Sequence, residues 1–196
     1  MGGSNIMGTR NLTVVVKDGQ IRVAQYRQWD GYPEGQGMTI VEFLMGHRNA
    51  ELLAKRLDSV RFSSEDEDFT VYETLHGALP PEFSRDTAGK ILEHIVNTDY
   101  FMWLPDNREF AADALFCEWA YVVDLDKSVL EVYKGFGKAS PGERFYPLQE
   151  QHGINDKYGT AYGAVRFVTE FRFDELNPKT FVDKIKAALG ETEDEE

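Results

Sequence analysis

Two valine-rich runs joined by Asp18-Gly19 constrain this chain more than any other feature of its sequence. Leu12-Thr13-Val14-Val15-Val16-Lys17 and Gln20-Ile21-Arg22-Val23-Ala24-Gln25-Tyr26 are dense in β-branched residues, and Asp-Gly between them signals a two-residue type I′ turn. Glycine accepts the positive φ that this turn needs. The turn also sets a register in which Lys17 faces Gln20, Val16 faces Ile21, Val14 faces Val23 and Leu12 faces Gln25, one apolar face for a core. The other face pairs Val15 with Arg22, Thr13 with Ala24 and Asn11 with Tyr26, and grows more polar toward the open end. That end leads directly into Gln28-Trp29-Asp30-Gly31-Tyr32-Pro33-Glu34-Gly35-Gln36-Gly37.

Downstream, helical spacing predicts helices over 39–44 and 49–57, with Thr39 and Glu42 at capping-box separation and Leu52, Leu53 and Leu57 as an apolar stripe. A short strand is expected over 69–72. Pro80-Pro81 breaks the chain, and Ser84 can cap a helix over 85–97 whose buried side is Ile91, Leu92, Ile95 and Val96. A second hairpin has strands over 116–123 and 129–133, with Trp119, Tyr121 and Val123 on one face and Glu118, Ala120 and Val122 on the other. Residues 135–162, rich in Gly, Pro and polar groups, read as irregular; a strand over 164–173 and a helix over 178–189 follow, the latter opened by Pro178 and stopped by Gly190. Hairpins without a βαβ rhythm predict an α+β fold, mainly antiparallel sheet built from hairpins with packed helices. The 196 residues suit one domain, expected over 7–190, with 1–6 as a Gly/Ser-containing leader before Met7 and 191–196 as a disordered acidic tail.

The chain carries 34 acidic and 21 basic residues, a net charge of −13 that repels a phosphate backbone and argues against nucleic-acid binding. Nine of the acids sit in Glu65-Asp66-Glu67-Asp68 and in the tail, which leaves the remaining body near −4. A single cysteine, Cys117, excludes an internal disulfide and fits a reducing, cytoplasmic setting. No apolar run approaches the roughly 18 residues that span a bilayer, and the first residues lack the pattern of a signal peptide. The expected partner is therefore a small molecule, with neither nucleic acid nor membrane. The sequence leaves the oligomeric state open, a homo-oligomer included.

The stretch from Tyr26 to Gly37 is the most unusual in the chain: three aromatic residues, three glycines, one proline and Asp30 at a strand end. Aromatic faces stack on planar ligands, glycines permit close backbone approach, and Gln28 or Asp30 can orient a polar group. With Asn11 expected opposite Tyr26, the residues Asn11, Tyr26, Trp29, Asp30 and Tyr32 are expected to line one cavity. Glu118 shares a strand face with Ala120 and Val122, so a cation such as Arg10, Arg22 or Arg85 should accompany it. The candidate ligand-binding set is thus Arg10, Asn11, Tyr26, Gln28, Trp29, Asp30, Tyr32, Arg85 and Glu118, with no catalytic residue, no metal and no cofactor expected. Familiar signatures fail on particular residues. Gly35-x-Gly37 would need glycine at Ile40, Gly135-Phe136-Gly137-Lys138 would need glycine at Val132, and the calcium-loop start at Asp124 would need glycine at Val129 and glutamate at Gly135. His47, His76, His94 and His152 have no paired metal-ligand spacing.

Gly8-Thr9-Arg10-Asn11-Leu12-Thr13, the stretch from Gln25 to Gly37, Ser84-Arg85-Asp86 and Phe116-Cys117-Glu118-Trp119-Ala120-Tyr121-Val122-Val123-Asp124-Leu125-Asp126 together resemble an uncharacterised family of small bacteriophage and bacterial proteins. The resemblance implies a phage or prokaryotic cytoplasmic setting, in which accessory proteins counter host defences by sequestering nucleotide messengers. A second resemblance joins Gly8-Thr9 and the following β-run with Lys17-Asp18-Gly19 to the start of N-terminal-nucleophile, proteasome-type hydrolases. It implies a four-layer αββα sandwich and an amidohydrolase using Thr9, although no lysine stands at a suitable distance after the hairpin and Gln25-Tyr26 occupies the place of that family's supporting aspartate. The expected function is capture of a small polar, nucleotide-like ligand; the hydrolase and a non-catalytic protein-interaction module are the alternatives. Because the acidic loop and tail hold little apolar surface, deleting 191–196 and neutralising 65–68 is expected to change folding stability by no more than about 0.5 kcal/mol in thermal melts.

Overall fold

The structure is a computed structural model that describes residues 8–64, 74, 81–154 and 161–191. The leader, the acidic loop, the expected strand over 69–72 and the end of the tail lie outside the described residues. Strands β1 (Asn11–Lys17) and β2 (Gln20–Arg27) form the expected hairpin, with both turn residues at positive φ, 56° at Asp18 and 69° at Gly19. The register holds only for the first two pairs. A bulge between Val15 and Val16 shifts the rest, so that Val15 faces Val23, Thr13 faces Gln25, Leu12 faces Tyr26 and Asn11 faces Arg27. The slip has a packing reason: it puts Val15 and Val23, both fully buried, on the same side of the sheet. Arg22 is left extra, and its guanidinium donates to the carbonyls of Leu57 (2.8 Å) and Val60 (3.3 Å).

The second hairpin forms, but β5 (Trp119–Asp124) starts three residues later than expected and leaves Glu118 ahead of it; β6 (Val129–Lys134) follows and pairs onward with β7 (Arg166–Arg172). Its first strand joins β1 in parallel, giving one mixed sheet in the order β2-β1-β5-β6-β7. The short parallel pair β3 (Val60–Phe62) and β4 (Met102–Leu104) stands apart, linked to β2 by the bridge between Ala24 and Asp106. The class is α+β. Among the described residues the second sheet has two short strands and does not supply the second large layer of an αββα sandwich.

Helices α1 (Met38–Met45), α2 (Asn49–Arg56), α3 (Lys90–Asn97) and α5 (Pro178–Leu189) cover one face of the main sheet. Beneath them Val15, Val23, Tyr121, Val123, Leu130 and Val132 meet Ile40, Leu53, Ile91, Ile95, Phe181 and Ile185. The opposite face, Leu12, Val14, Ala120, Val122 and Tyr133, packs on Ala111, Ala114, Phe145, Ala164 and Val165. β1 is therefore buried on both sides, where the sequence suggested one polar face.

Three helix boundaries differ from expectation. Thr39 does not cap α1, because a tight turn over Pro33–Gly37 runs straight into the helix and the Thr39 hydroxyl donates back to Gly35. α3 begins at Lys90 rather than 85, since Ala88 sits at φ 43° and Gly89 gives its N–H to the side chain of Gln36 (2.8 Å). Residues 146–152, expected to be irregular, form α4 (Tyr146–His152), which carries Gln149 into hydrogen bonds with Ala139 and Ala164. By contrast α5 keeps its expected bounds, with Asn177 capping Lys179 N–H and Gly190 at φ 74° ending it.

On the second face a buried cation and two carboxylates satisfy one another. The Arg144 guanidinium, one-fifth exposed, reaches Glu131 at 2.7 Å and Asp124 at 2.5 Å, and the Tyr133 hydroxyl donates to Glu131 at 2.7 Å. Burial alone would push the Glu131 carboxyl up, but hydrogen bonds from Arg144 and Tyr133 outweigh it and hold the group below its ordinary value of 4.5. A carboxyl lowered in the folded state stabilises above the unfolded value and loses that contribution as pH falls through the folded one. Arg144→Met leaves the two buried carboxylates only the exposed Lys127 ammonium, 3.9 Å from Asp124 and 3.6 Å from Glu131, and is expected to cost about 3 kcal/mol at pH 7. Its sign with pH should reverse: urea melts should show the variant regaining stability from pH 7 to pH 5 while the parent protein does not.

Candidate ligand-binding site

The open end of the first hairpin brings four polar residues to one face of a sheet that is buried elsewhere. Strand alternation and the shifted register set Asn11 against Arg27 and Thr13 against Gln25, on the same side as Val15 and Val23. Asn11, Thr13 and Gln25 are almost wholly buried. Above them lies the segment from Glu82 to Gly89. Gln25 Nε2 donates to the carbonyls of Glu82 (2.8 Å) and Ser84 (3.5 Å), and the buried Glu82 carboxylate faces His94 Nε2 of α3 at 3.6 Å.

This region is short of partners. Among the described residues, seven buried side-chain polar atoms have no hydrogen-bond partner, and six belong here: Asn11 Oδ1, Thr13 Oγ1, Gln25 Oε1, Arg27 Nε, Glu82 Oε2 and His94 Nε2. One such atom costs about 1–3 kcal/mol. Glu82 Oε2 and His94 Nε2 face each other at 3.6 Å, and the other four form an uncommon concentration for a native interior.

A cleft of about 280 Å³ opens over the outer edge of β2, lined by Gln25, Tyr26, Phe83, Ser84, Arg85 and Asn107. Because β2 is the edge strand, the cleft meets side chains from both faces of the sheet. Tyr26 stands edge-on to Phe110 with ring centres 4.9 Å apart, and its N–H donates to Asn107 Oδ1 at 3.2 Å. Arg85 is exposed at the rim, and its carbonyl accepts from Gln28 N–H at 3.4 Å.

Of the expected residues, Tyr26 and Arg85 thus share one cleft, Gln28 touches it through its backbone, and Asn11 lies on the polar face beneath. The single cavity expected for Asn11, Tyr26, Trp29, Asp30 and Tyr32 does not form. The bulge is the reason: it pairs Tyr26 with Leu12, whose side chains point to the opposite face from Asn11. Asn11 donates to the Trp29 carbonyl (3.3 Å), while the Trp29 ring, 42% exposed, covers Gly8. Asp30 sits at φ 59°, its carboxylate against Gly35 and its carbonyl accepting from Gln36 N–H, so it closes the loop upon itself. Tyr32 and Glu118 face a different cleft, and the Arg10 guanidinium lies over the Phe116 ring at 5.2 Å. Thr9 is buried, with its carbonyl accepting from Gly31 N–H at 3.0 Å.

Sequence reasoning missed Thr13, Gln25, Arg27, Glu82, His94 and Asn107. The available signal was Thr13 and Gln25 beside the apolar residues of β1 and β2, with Arg27 at the end of β2; Glu82, His94 and Asn107 come from distant segments. Comparison with protein families, with curated proteins and with solved structures found no match for this chain.

Thr13→Val tests whether the polar face carries unmet hydrogen-bonding capacity. Replacing a buried hydroxyl that has no partner by a methyl of the same shape is expected to raise stability by about 1 kcal/mol in denaturant melts of ligand-free protein. A loss of similar size would mean that the hydroxyl is satisfied.

Proposed function

We propose that the protein binds and sequesters a small polar, nucleotide-derived ligand in the cleft beside β2 and performs no chemistry on it. Gln25 carries this reading. Two carbonyls fix its amide nitrogen, which leaves Oε1 a buried acceptor with no protein partner at the wall of the cleft, a group that the exocyclic amino group of a nucleobase could satisfy. Arg85 at the rim supplies a cation for a phosphate, and Tyr26 and Asn107 add an aromatic edge and a polar group between them. A volume of about 280 Å³ suits a ligand of mononucleotide size. Thr13, Asn11 and Arg27 lie further along the same face, outside the lining of the cleft.

In the phage setting that the sequence resemblance implies, the ligand would be a nucleotide messenger of a host defence response, and capture alone would suffice to silence it.

Native mass spectrometry of the whole chain against linear, cyclic and dinucleotides tests the reading. At least one nucleotide should be retained, and Arg85→Ala should weaken its capture by tenfold or more, since a charge-assisted hydrogen bond is worth about 1.5–3 kcal/mol. The melting temperature should stay unchanged, because Arg85 is exposed. Asp30→Asn, outside the cleft, should leave capture as it was. Retention of no nucleotide, or indifference to Arg85→Ala, overturns the proposal.

A further inference from the structure

A second cleft, of about 310 Å³, opens between α5 and the sheet where β5 begins and β6 ends. Its apolar walls are Tyr32, Trp119, Phe136, Val182, Ile185 and Leu189. The Tyr32 and Phe136 rings are each about half exposed. Five charged groups stand around this surface, and they do not balance. Lys134 pairs with Glu191 at 3.1 Å and Lys186 with Glu34 at 3.6 Å, which accounts for both cations. Glu118 remains.

Its half-buried carboxylate takes part in no ion pair among the described residues. Arg10 offers it a backbone N–H and a weaker attraction through space, while the Arg10 guanidinium is occupied over Phe116. Burial pushes the Glu118 carboxyl above its ordinary range, which Arg10 only partly offsets. What the cleft lacks is therefore a cation. Its rings can receive one, since an ammonium over an aromatic face is attracted by the ring's quadrupole. The chain displays that contact itself, with Lys134 Nζ 5.2 Å above the Trp119 ring.

We propose that this cleft is a second binding site, taking a small organic ammonium whose alkyl or aryl body lies against Tyr32, Phe136 and Leu189 and whose nitrogen is held by the Glu118 carboxylate. The site stands independently of the cleft beside β2, with which it shares no lining residue. An anionic ligand fits less well, because each lysine here already holds a carboxylate and Glu118 would repel another.

The experiment titrates the whole chain with n-hexylammonium, 1-hexanol and hexanoate, three ligands of one chain length that differ in head charge, read by calorimetry and by the Trp119 indole N–H signal in NMR. Hexylammonium should bind at least tenfold more tightly than either analogue. Glu118→Gln should abolish that preference, and Phe136→Ala, an exposed position with little bearing on folding, should weaken all binding severalfold. Acidification should release hexylammonium from the parent protein as Glu118 takes up its proton, whereas Glu118→Gln should show no such pH dependence. The proposal is overturned by hexanol binding as well as hexylammonium, by hexanoate binding more tightly, by no binding at millimolar concentration, or by an affinity indifferent to Glu118→Gln.

Discussion

The parallel pairing of β1 with β5 is the constraint on which the rest of the structure depends. Each of these strands belongs to its own hairpin, and a hairpin alone buries too little to be stable. Joining them puts β1 inside a sheet covered on both faces, which explains six consecutive buried residues in a strand whose alternation suggested one wet face. The pairing also brings the two turns together. The Asp126 carboxylate of the second turn accepts from Asp18 N–H and Gly19 N–H of the first, and these bonds, with Gly19 the stronger influence, hold its carboxyl below the ordinary range.

Covering both faces forces polar groups into the interior, and the protein treats them in two ways. On one face Arg144, Asp124, Glu131 and Tyr133 satisfy one another at hydrogen-bond distance, a closed network that ties α4's approach to the second hairpin. On the other, Asn11, Thr13, Gln25, Glu82 and His94 crowd together with atoms left over. The same low-dielectric surroundings strengthen the first arrangement and penalise the second. That contrast sets the structural network apart from the candidate site.

The loop from Gln28 to Gly37 distributes its conspicuous residues rather than gathering them. The Tyr121 hydroxyl, buried in the sheet, donates to the Gly31 carbonyl at 2.8 Å and pins the middle of the loop. Burial drives that hydroxyl's pKa well up, so it keeps the proton it donates. Beyond the pin, Asp30 turns back on Gly35, and the chain enters α1 through the Pro33–Gly37 turn. Trp29 and Tyr32 leave on different sides of it, one over Gly8 and the other into the cleft beside α5.

The α+β class, the two hairpins, the type I′ turn and the capped helix α5 were legible in the sequence, because each is decided by neighbours: Asp18-Gly19 by backbone sterics, Asn177, Pro178 and Gly190 by the orphan groups of one helix. The polarity of the Asn11 and Thr13 face was legible too, though not its partners. A bulge obeys the packing of distant helices, so the slip that exchanged Tyr26 for Arg27 opposite Asn11 could not be read from the turn. The late start of α3 follows likewise from Gln36 reaching Gly89 across 53 positions. Both clefts combine residues from several segments, Gln25 with Arg85 and Asn107, and Tyr32 with Glu118 and Phe136. Local sequence fixes which backbone shapes cost least, but only the burial of both sheet faces decides which side chains meet, and whether a polar atom among them finds a partner.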